Sequence, residues 1–341
     1  MIKRLMGLVE LAFFLAALGW FGATGIGLLG RFVRLFDLIN HFQLVLVISA
    51  MAFLAASFVW RFSGQFYKRA GRALFVLSII GSMCLIGPEI LHRGTQTLFA
   101  SEANARPSGN TTIKLMSFNL YMATRDAKGL TSSIIKVGPD LVTLQEYAPN
   151  RFKRQPDLKR EYPYQARCKS WRTCSLAILS KYPLSEITSY RLDSEGQKNP
   201  LHGKMLAATM KAKGAKPVRV YSLHLSWPLP LSEKKLQFEK LAEIILKERE
   251  RYPLQVIAGD FNSTGWAYAV DRFAANVGME RRDQFVPTFP SPNSRIKGIK
   301  LPAFLSLDHI LTSQDIKASK VVRVSASVGD HWPIMTRLTL P

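Results

Sequence analysis

Two kinds of hydrophobic pattern divide the chain. Up to about residue 92 it consists of long apolar runs, Leu5 to Leu29, Gln43 to Trp60 and Ala73 to Leu91. Each matches the roughly 17 to 25 residues that cross a bilayer as a helix. The middle run carries no charge, and Trp60 with Arg61 closes it as an interfacial anchor would. Glu10 and Glu89 lie near the ends of their runs, where a carboxylate still reaches the interface. A cleaved signal peptide is the rival reading of the first run, but two more runs follow with no polar domain between them. Three transmembrane helices are the expectation for residues 1–91.

From Thr112 to Pro341 the pattern alternates. Strand-like runs include "IKLMSFNL", "DLVTLQE", "SLAILSKYP", "MLAATMKA", "VRVYSLHL", "LQVIAGDFN", "LDHILTS", "KVVRVS" and "PIMTRLTL". Ser232 suits the N-cap of a helix to about Arg251, with Phe238, Leu241, Ala242 and Ile245 on its core face. A second helix is predicted from near Trp266 to Val277. Strands and helices without strict alternation imply an α/β domain of two mixed sheets packed together, helices outside. Between the two halves, residues 92–111 are polar, small and aperiodic, and read as a linker. That linker holds a weak signal-peptidase pattern at Ala103-Asn-Ala105 and a glycosylation sequon at Asn110.

Charge sharpens the picture. The 341 residues include 46 Lys and Arg against 24 Asp and Glu, a net +22. Such an excess suits polyanionic partners, nucleic acid or an anionic membrane surface. Around the apolar runs, Lys3, Arg4, Arg61, Lys68, Arg69 and Arg72 outnumber Arg31, Arg34, Arg93 and Arg106. This bias puts the N-terminus in the cytoplasm and everything after Leu91 outside it, periplasmic or extracellular. Cys168 and Cys174 are the two cysteines beyond the runs. An oxidising compartment would allow them to close a small loop; two unrelated thiols is the alternative. Gly25-Ile-Gly27-Leu-Leu-Gly30 fits a dinucleotide fingerprint, but it lies in a membrane helix without the strand the motif needs, so no nucleotide cofactor is expected.

Candidate chemistry collects at strand ends. Asp260 and Asn262 flank Phe261 in "GDFN", two apart and so on one face of an extended chain. Asn119 ends "LMSFNL", Glu146 ends "DLVTLQE", and His224 lies in "YSLHLSWP". Asp308 and His309 lie in "LSLDHIL", Asp330 and His331 in "GDHWPI". Singly, each suits a turn or a core position. Together, several carboxylates at one sheet edge would cost several kcal/mol each, about the penalty of an unpaired buried ion, without a cation. A hard divalent ion with oxygen ligands fits that need.

From Lys114 to Leu340 the sequence resembles the endonuclease/exonuclease/phosphatase, or deoxyribonuclease-I-like, superfamily. The resemblance rests on "SFNL", "LQE", "AILSKYPL", "SLHLSWP", "GDFN", "LDHIL" and "GDHWPI", in that family's order. It implies a four-layer α-β-β-α sandwich and metal-assisted hydrolysis of a phosphate ester by water. By motif, Glu146 would be the principal metal ligand, with Asn119 beside it and Asp330 by the metal or its waters. His331 would face the scissile phosphate, polarised by Asp308. Asp260 and Asn262 would position the attacking water and the phosphate oxygens, and His224 would protonate the leaving oxygen. The implied cofactor is Mg2+, with Mn2+ or Ca2+ as alternatives. One departure is Gly329, where the family often has Ser before the final Asp-His.

Residues 112–341 would therefore form a catalytic domain on a membrane anchor, a nuclease first. A phospholipase-C-like or sphingomyelinase-like enzyme acting on lipid head groups, a phosphomonoesterase, and a catalytically silent binding protein remain open. The insert from Phe285 to Leu305 bears on the choice. Its Arg295, Lys297 and Lys300 would follow a phosphate backbone; its Phe289, Pro290 and Phe304 would touch a bilayer, or the loop packs on the core.

Overall fold

The computed structural model describes the chain apart from residues 1, 61, 63, 100–110, 125, 149–154, 169–173, 195–201 and 295–298. The side chains of Lys3 and Arg4, and residues Arg61, Ala103, Ala105, Arg106, Asn110, Arg295 and Lys297, lie outside the described part. Two compact units emerge: Met1–His92 with Trp266–Ala269, and Arg93–Gly265 with Val270–Pro341.

The first unit is built on α1 (Ile2–Leu29), a 3-10 turn (Phe36–Phe42), α2 (Gln43–Val59) and α3 (Gln65–Phe99). Three stretches, Leu5–Leu29, Phe36–Val59 and Gln65–Gly94, are long and apolar enough to cross a membrane. The third helix begins before the apolar run and continues past it to Phe99, so the first part of the expected linker is helical. Helix propagation costs little once nucleated, and polar "HRGTQTLF" contains no breaker stronger than Gly94. Polar side chains inside this apolar unit are paired, as a low-dielectric environment demands. Asn40 Nδ2 donates to Asp37 Oδ1 at 2.8 Å, Gln43 Nε2 to Asn40 Oδ1 at 3.1 Å, and Ser82 Oγ to Gln43 Oε1 at 2.8 Å. The GxGxxG glycines serve this packing. A Cβ on Gly30 would meet the Asp37 backbone at 2.8 Å, and one on Gly27 the Asn40 and Gln43 side chains.

The second unit carries two mixed sheets. One orders β11 (Lys317–Ala318), β13 (Ile334–Leu340), β1 (Thr111–Asn119), β2 (Leu141–Gln145), β4 (Ala177–Ser180) and β3 (Tyr164–Arg167), with β12 (Val322–Arg323) also on β13. The other orders β5 (Leu184–Arg191), β6 (Lys204–Met210), β7 (Val218–His224), β8 (Gln255–Asp260), β10 (Asp308–Thr312) and β9 (Glu280–Arg281). Among the described strands, only β1–β2 and β7–β8 are parallel. Between the sheets lies one core, in which Ile113, Leu115 and Ile178 meet Leu206, Val220 and Val256. On the outer face of the first sheet, Leu130 and Ile134 of α4 (Ala127–Val137) and Leu158 of α5 (Pro156–Glu161) pack on Met116, Phe118 and Val142. On the other outer face, Leu241 and Ile245 of α6 (Leu231–Arg249) and Phe273 of α7 (Tyr268–Asn276) cover Tyr221 and Ile257. This is the expected four-layer α-β-β-α sandwich. The helix expected to be capped by Ser232 starts two residues earlier, with Pro230 as its N-cap; Pro needs no N–H there.

Cys168 and Cys174 are joined by a disulfide and are buried beside Ala166 and Leu176. Peptide mass spectrometry of non-reduced, full-length protein from freshly isolated membranes is expected to show the two joined. Free thiols there would speak against an oxidising compartment for this domain.

Candidate active site

Register brings the strand-end residues together. Parallel β1 and β2 finish side by side, Asn119 opposite Gln145, so Glu146 follows next to Asn119. Antiparallel β13 starts where β1 ends, Ser117 opposite Ile334, which places Asp330 and His331 at the same edge. In the second sheet His224 pairs with Asp260 across β7–β8, and Asp308 pairs with Asp260 across β8–β10.

Asn119 links the two sheets. Its Nδ2 donates to Asp260 Oδ2 at 2.9 Å and to Glu146 Oε1 at 3.3 Å. Glu146 also accepts from the Met122 N–H at 2.6 Å, and its backbone φ of 55° is one a side-chain-bearing residue rarely adopts. Asp260 Oδ1 accepts the Asn262 N–H at 2.7 Å, and Asn262, itself at φ 45°, donates its amide to the Leu225 carbonyl at 2.9 Å. His224 Nε2 lies 3.5 Å from Asp260 Oδ2. His331 Nδ1 sits 2.7 Å from Asp308 Oδ2, and its Nε2 lies 3.8 Å from Asp260 Oδ2. All eight expected residues, Asn119, Glu146, His224, Asp260, Asn262, Asp308, Asp330 and His331, thus gather at one edge of the sandwich.

The electrostatics follow from burial and like charges. Burial pushes the Asp260 carboxyl up to about 7, against the downward pull of the His331 charge. Asp330 is pushed up to about 6, by burial first and also by repulsion from Glu146 and Asp308. Burial opposes charge on His331, but Asp308 and then Asp260 outweigh it and lift the imidazole to about 10. The two sheets therefore confront a buried imidazolium with raised carboxyls, a combination that favours functional edges.

Does a divalent metal fit? Asp308 Oδ1 and Asp330 Oδ1 are buried with no hydrogen-bond partner among the described residues. Asp260, Asp308 and His331 bring ligand atoms within 4.8 Å of one another. A protonated imidazole offers no lone pair, so the donors that fit a cation are oxygens, from the mutually repelling Glu146 and Asp330 and from Asn119 and Asp308. Oxygen-only donors suit a hard ion such as Mg2+.

Two residues, His202 and Lys234, had no counterpart in the sequence motifs, and a third, Gly329, finds its explanation here. His202 Nδ1 lies 3.1 Å from His224 Nε2, and burial lowers its pKa to about 4. It stands just before Lys204, whose register partner is His224; only the strand pairing exposes that. His202 also lines a cleft of about 170 Å³ with Asp193, Ser226, Trp227, Leu229 and Glu233. Lys234, on α6, is buried against the "GDFN" loop. Gly329 has φ 84°, and a Cβ there would come 2.7 Å from the Phe118 ring, so this chain has no room for the serine often found at that place.

Two packed mixed sheets thus carry carboxylates, an amide and a histidine–aspartate pair at one edge. The Endonuclease/Exonuclease/phosphatase family pattern matches residues 116–331, and the chain belongs to that family. Solved structures share the fold at low identity. An endonuclease/exonuclease/phosphatase from Beutenbergia cavernae DSM 12333 is 15% identical, with a TM-score of 0.55 over 67% of this chain and 72% of that one. Sphingomyelinase C from Streptomyces griseocarneus is 15% identical, with a TM-score of 0.52 over 68% and 100%. A family protein from Bacteroides thetaiotaomicron is 17% identical, with a TM-score of 0.51 over 68% and 99%. Among curated proteins, none matches the chain.

Proposed function

We propose that the protein is a membrane-anchored, divalent-metal-dependent phosphodiesterase whose catalytic domain lies outside the cytoplasm. The observation that carries the reading is the His331–Asp308 pair at 2.7 Å, with His331 3.8 Å from a carboxyl raised to about 7, Asp260. A divalent ion held by Glu146, Asn119 and Asp330 would neutralise phosphate charge and acidify water. His331, a cation up to about pH 10, holds a phosphate oxygen by charge and hydrogen bond. Asp260, poised near neutrality, takes the proton of the attacking water, with Asn262 fixing its carboxylate through the backbone N–H. His224, on the opposite side of Asp260 from Asp308 in the strand order, returns a proton to the leaving oxygen as its bond to phosphorus breaks.

Nucleic acid is the first substrate class, because the net +22 favours a polyanion. A second reading, a phosphodiester of a lipid, has its own observation. Among the large hydrophobics exposed beyond residue 111, Tyr121, Trp227, Leu229, Ile299 and Leu301 all lie on the loops that adjoin the site. The Phe289 ring, 5.1 Å from His331, continues that rim. Full-length protein in detergent with Mg2+ is tested against supercoiled plasmid and against phospholipid vesicles containing sphingomyelin, with EDTA as control. EDTA-sensitive nicking supports the nuclease, and head-group release without nicking supports the lipid enzyme. Hydrolysis of neither, by protein that binds Mg2+, would refute the phosphodiesterase reading.

A further inference from the structure

The turn that carries the reacting pair rests on buried hydrogen-bond donors. Lys234 Nζ donates to the carbonyls of Phe261, Asn262 (3.4 Å) and Ser226 (2.7 Å). His309 Nε2 reaches the next carbonyl, Ser263, at 2.8 Å, while its Nδ1 is held by Asp283 at 2.5 Å. Three consecutive carbonyls of "FNS" are thus each met by a buried donor; Lys234 is 6% exposed and His309 0%.

Lys234 is unusual among these donors. An ammonium has three N–H groups and three carbonyls use them all. Among the described residues, no carboxylate lies within ion-pair distance of it. Burial pulls this lysine down to about 7, against the upward pull of the Asp260 charge, so a buried ammonium here depends on the three carbonyls that accept from it. The Phe261 carbonyl that it contacts belongs to the same peptide group as the Asn262 N–H, and that N–H donates to Asp260 Oδ1 at 2.7 Å. One peptide plane therefore runs from the ammonium to the Asp260 carboxylate. Its other end is Asn262, in the left-handed region at φ 45°, a conformation that Asn adopts more readily than most residues.

The loop after His224 does not depend on this lysine alone. Gln237 fixes Ser226 from the same helix, accepting its N–H at 2.8 Å and donating to its Oγ at 2.6 Å. Loss of Lys234 would therefore fall on residues 261–262 more than on 224–226.

We propose that Lys234 is a positioning residue for hydrolysis. Through the Phe261–Asn262 peptide it holds Asp260 and Asn262 in register with the phosphate. The inference rests on the phosphodiesterase reading and extends it to a residue that never touches substrate.

The test uses the full chain in detergent with Mg2+ and bis(p-nitrophenyl) phosphate, comparing Lys234→Met, Lys234→Gln and Lys234→Arg. In the methionine and glutamine variants kcat should fall about 10- to 100-fold, the cost of misplacing reacting groups by about 1 Å. KM should stay within about threefold, because binding is not what is lost. Arginine, which keeps the charge and the donors, should recover most of kcat. If the methionine variant is not recovered as folded protein, the glutamine–arginine comparison decides. Wild-type kcat in the glutamine variant, or equal losses in glutamine and arginine, would overturn the inference. Absence of wild-type turnover would instead overturn the phosphodiesterase reading, and this inference with it.

Discussion

His331→Ala is expected to lower kcat by about 10²- to 10⁴-fold while the protein stays folded. The side chain is 6% exposed and contributes a buried positive charge at the place where phosphate charge must be met. The charge exists because Asp308, 2.7 Å away, and Asp260 outweigh the penalty of burial and lift the imidazole to about 10. Asp308→Asn should therefore be the informative companion. It removes the largest upward influence on His331, so the basic limb of the kcat–pH profile should move down from near 10 toward the ordinary histidine value. Stability follows the same sign. A histidine raised in the folded state adds stability that is full below about 6.5, its unfolded value, and is lost as pH rises through about 10. Thermal melts of wild type and His331→Ala between pH 6 and 10 should converge as pH rises. Turnover retained in His331→Ala would break the assignment of this residue.

The strand-end chemistry was legible because extended chain has a fixed period and fixed ends. "GDFN", "LQE" and "GDH" announce polar groups where a strand leaves the core, and the register then brings Asn119, Glu146, Asp260 and His331 to one edge. The outer strands β3 and β5 were harder: "YQAR" and "LSEITSYR" carry polar or exposed residues that do not advertise a core face. Helix α4, "AKGLTSSIIKV", hid in its Ser, Thr and Gly, although Asp126 accepts the Gly129 N–H at 2.8 Å as its cap and Gly138 ends it at φ 63°. His202 and Lys234 were invisible for a different reason. Each acts through a partner more than 20 residues away in sequence, and neither sits in a motif of its own. Pairwise contacts that depend on strand order cannot be read from local spacing.

Glu146→Ala is expected to abolish Mg2+-dependent turnover without weakening the fold. Its carboxylate accepts one N–H from the half-buried Met122 and one from the buried Asn119, and it belongs to no apolar core cluster. What it does to the site is electrostatic. With Asp330 it forms a like-charged pair, and its charge helps to push Asp330 up to about 6. Such repulsion is tolerable when a divalent ion sits between the two, and unfavourable otherwise. Removing Glu146 should therefore lower the Asp330 pKa and leave the melting temperature unchanged or slightly raised, while Mg2+ affinity collapses. In wild type, a carboxyl raised to about 6 and another raised to about 7 hold protons that compete with a cation. Calorimetric Mg2+ titrations should then show affinity rising from pH 5.5 to 8, with proton release on binding that shrinks over the same range. In Glu146→Ala that pH dependence should weaken somewhat as well as the affinity, since one upward influence on Asp330 is removed while burial, the largest, remains. Mg2+ binding as tight as in wild type would move the metal to the Asp260, Asp308 and His331 cluster and leave Glu146 as a holder of the Met122 loop.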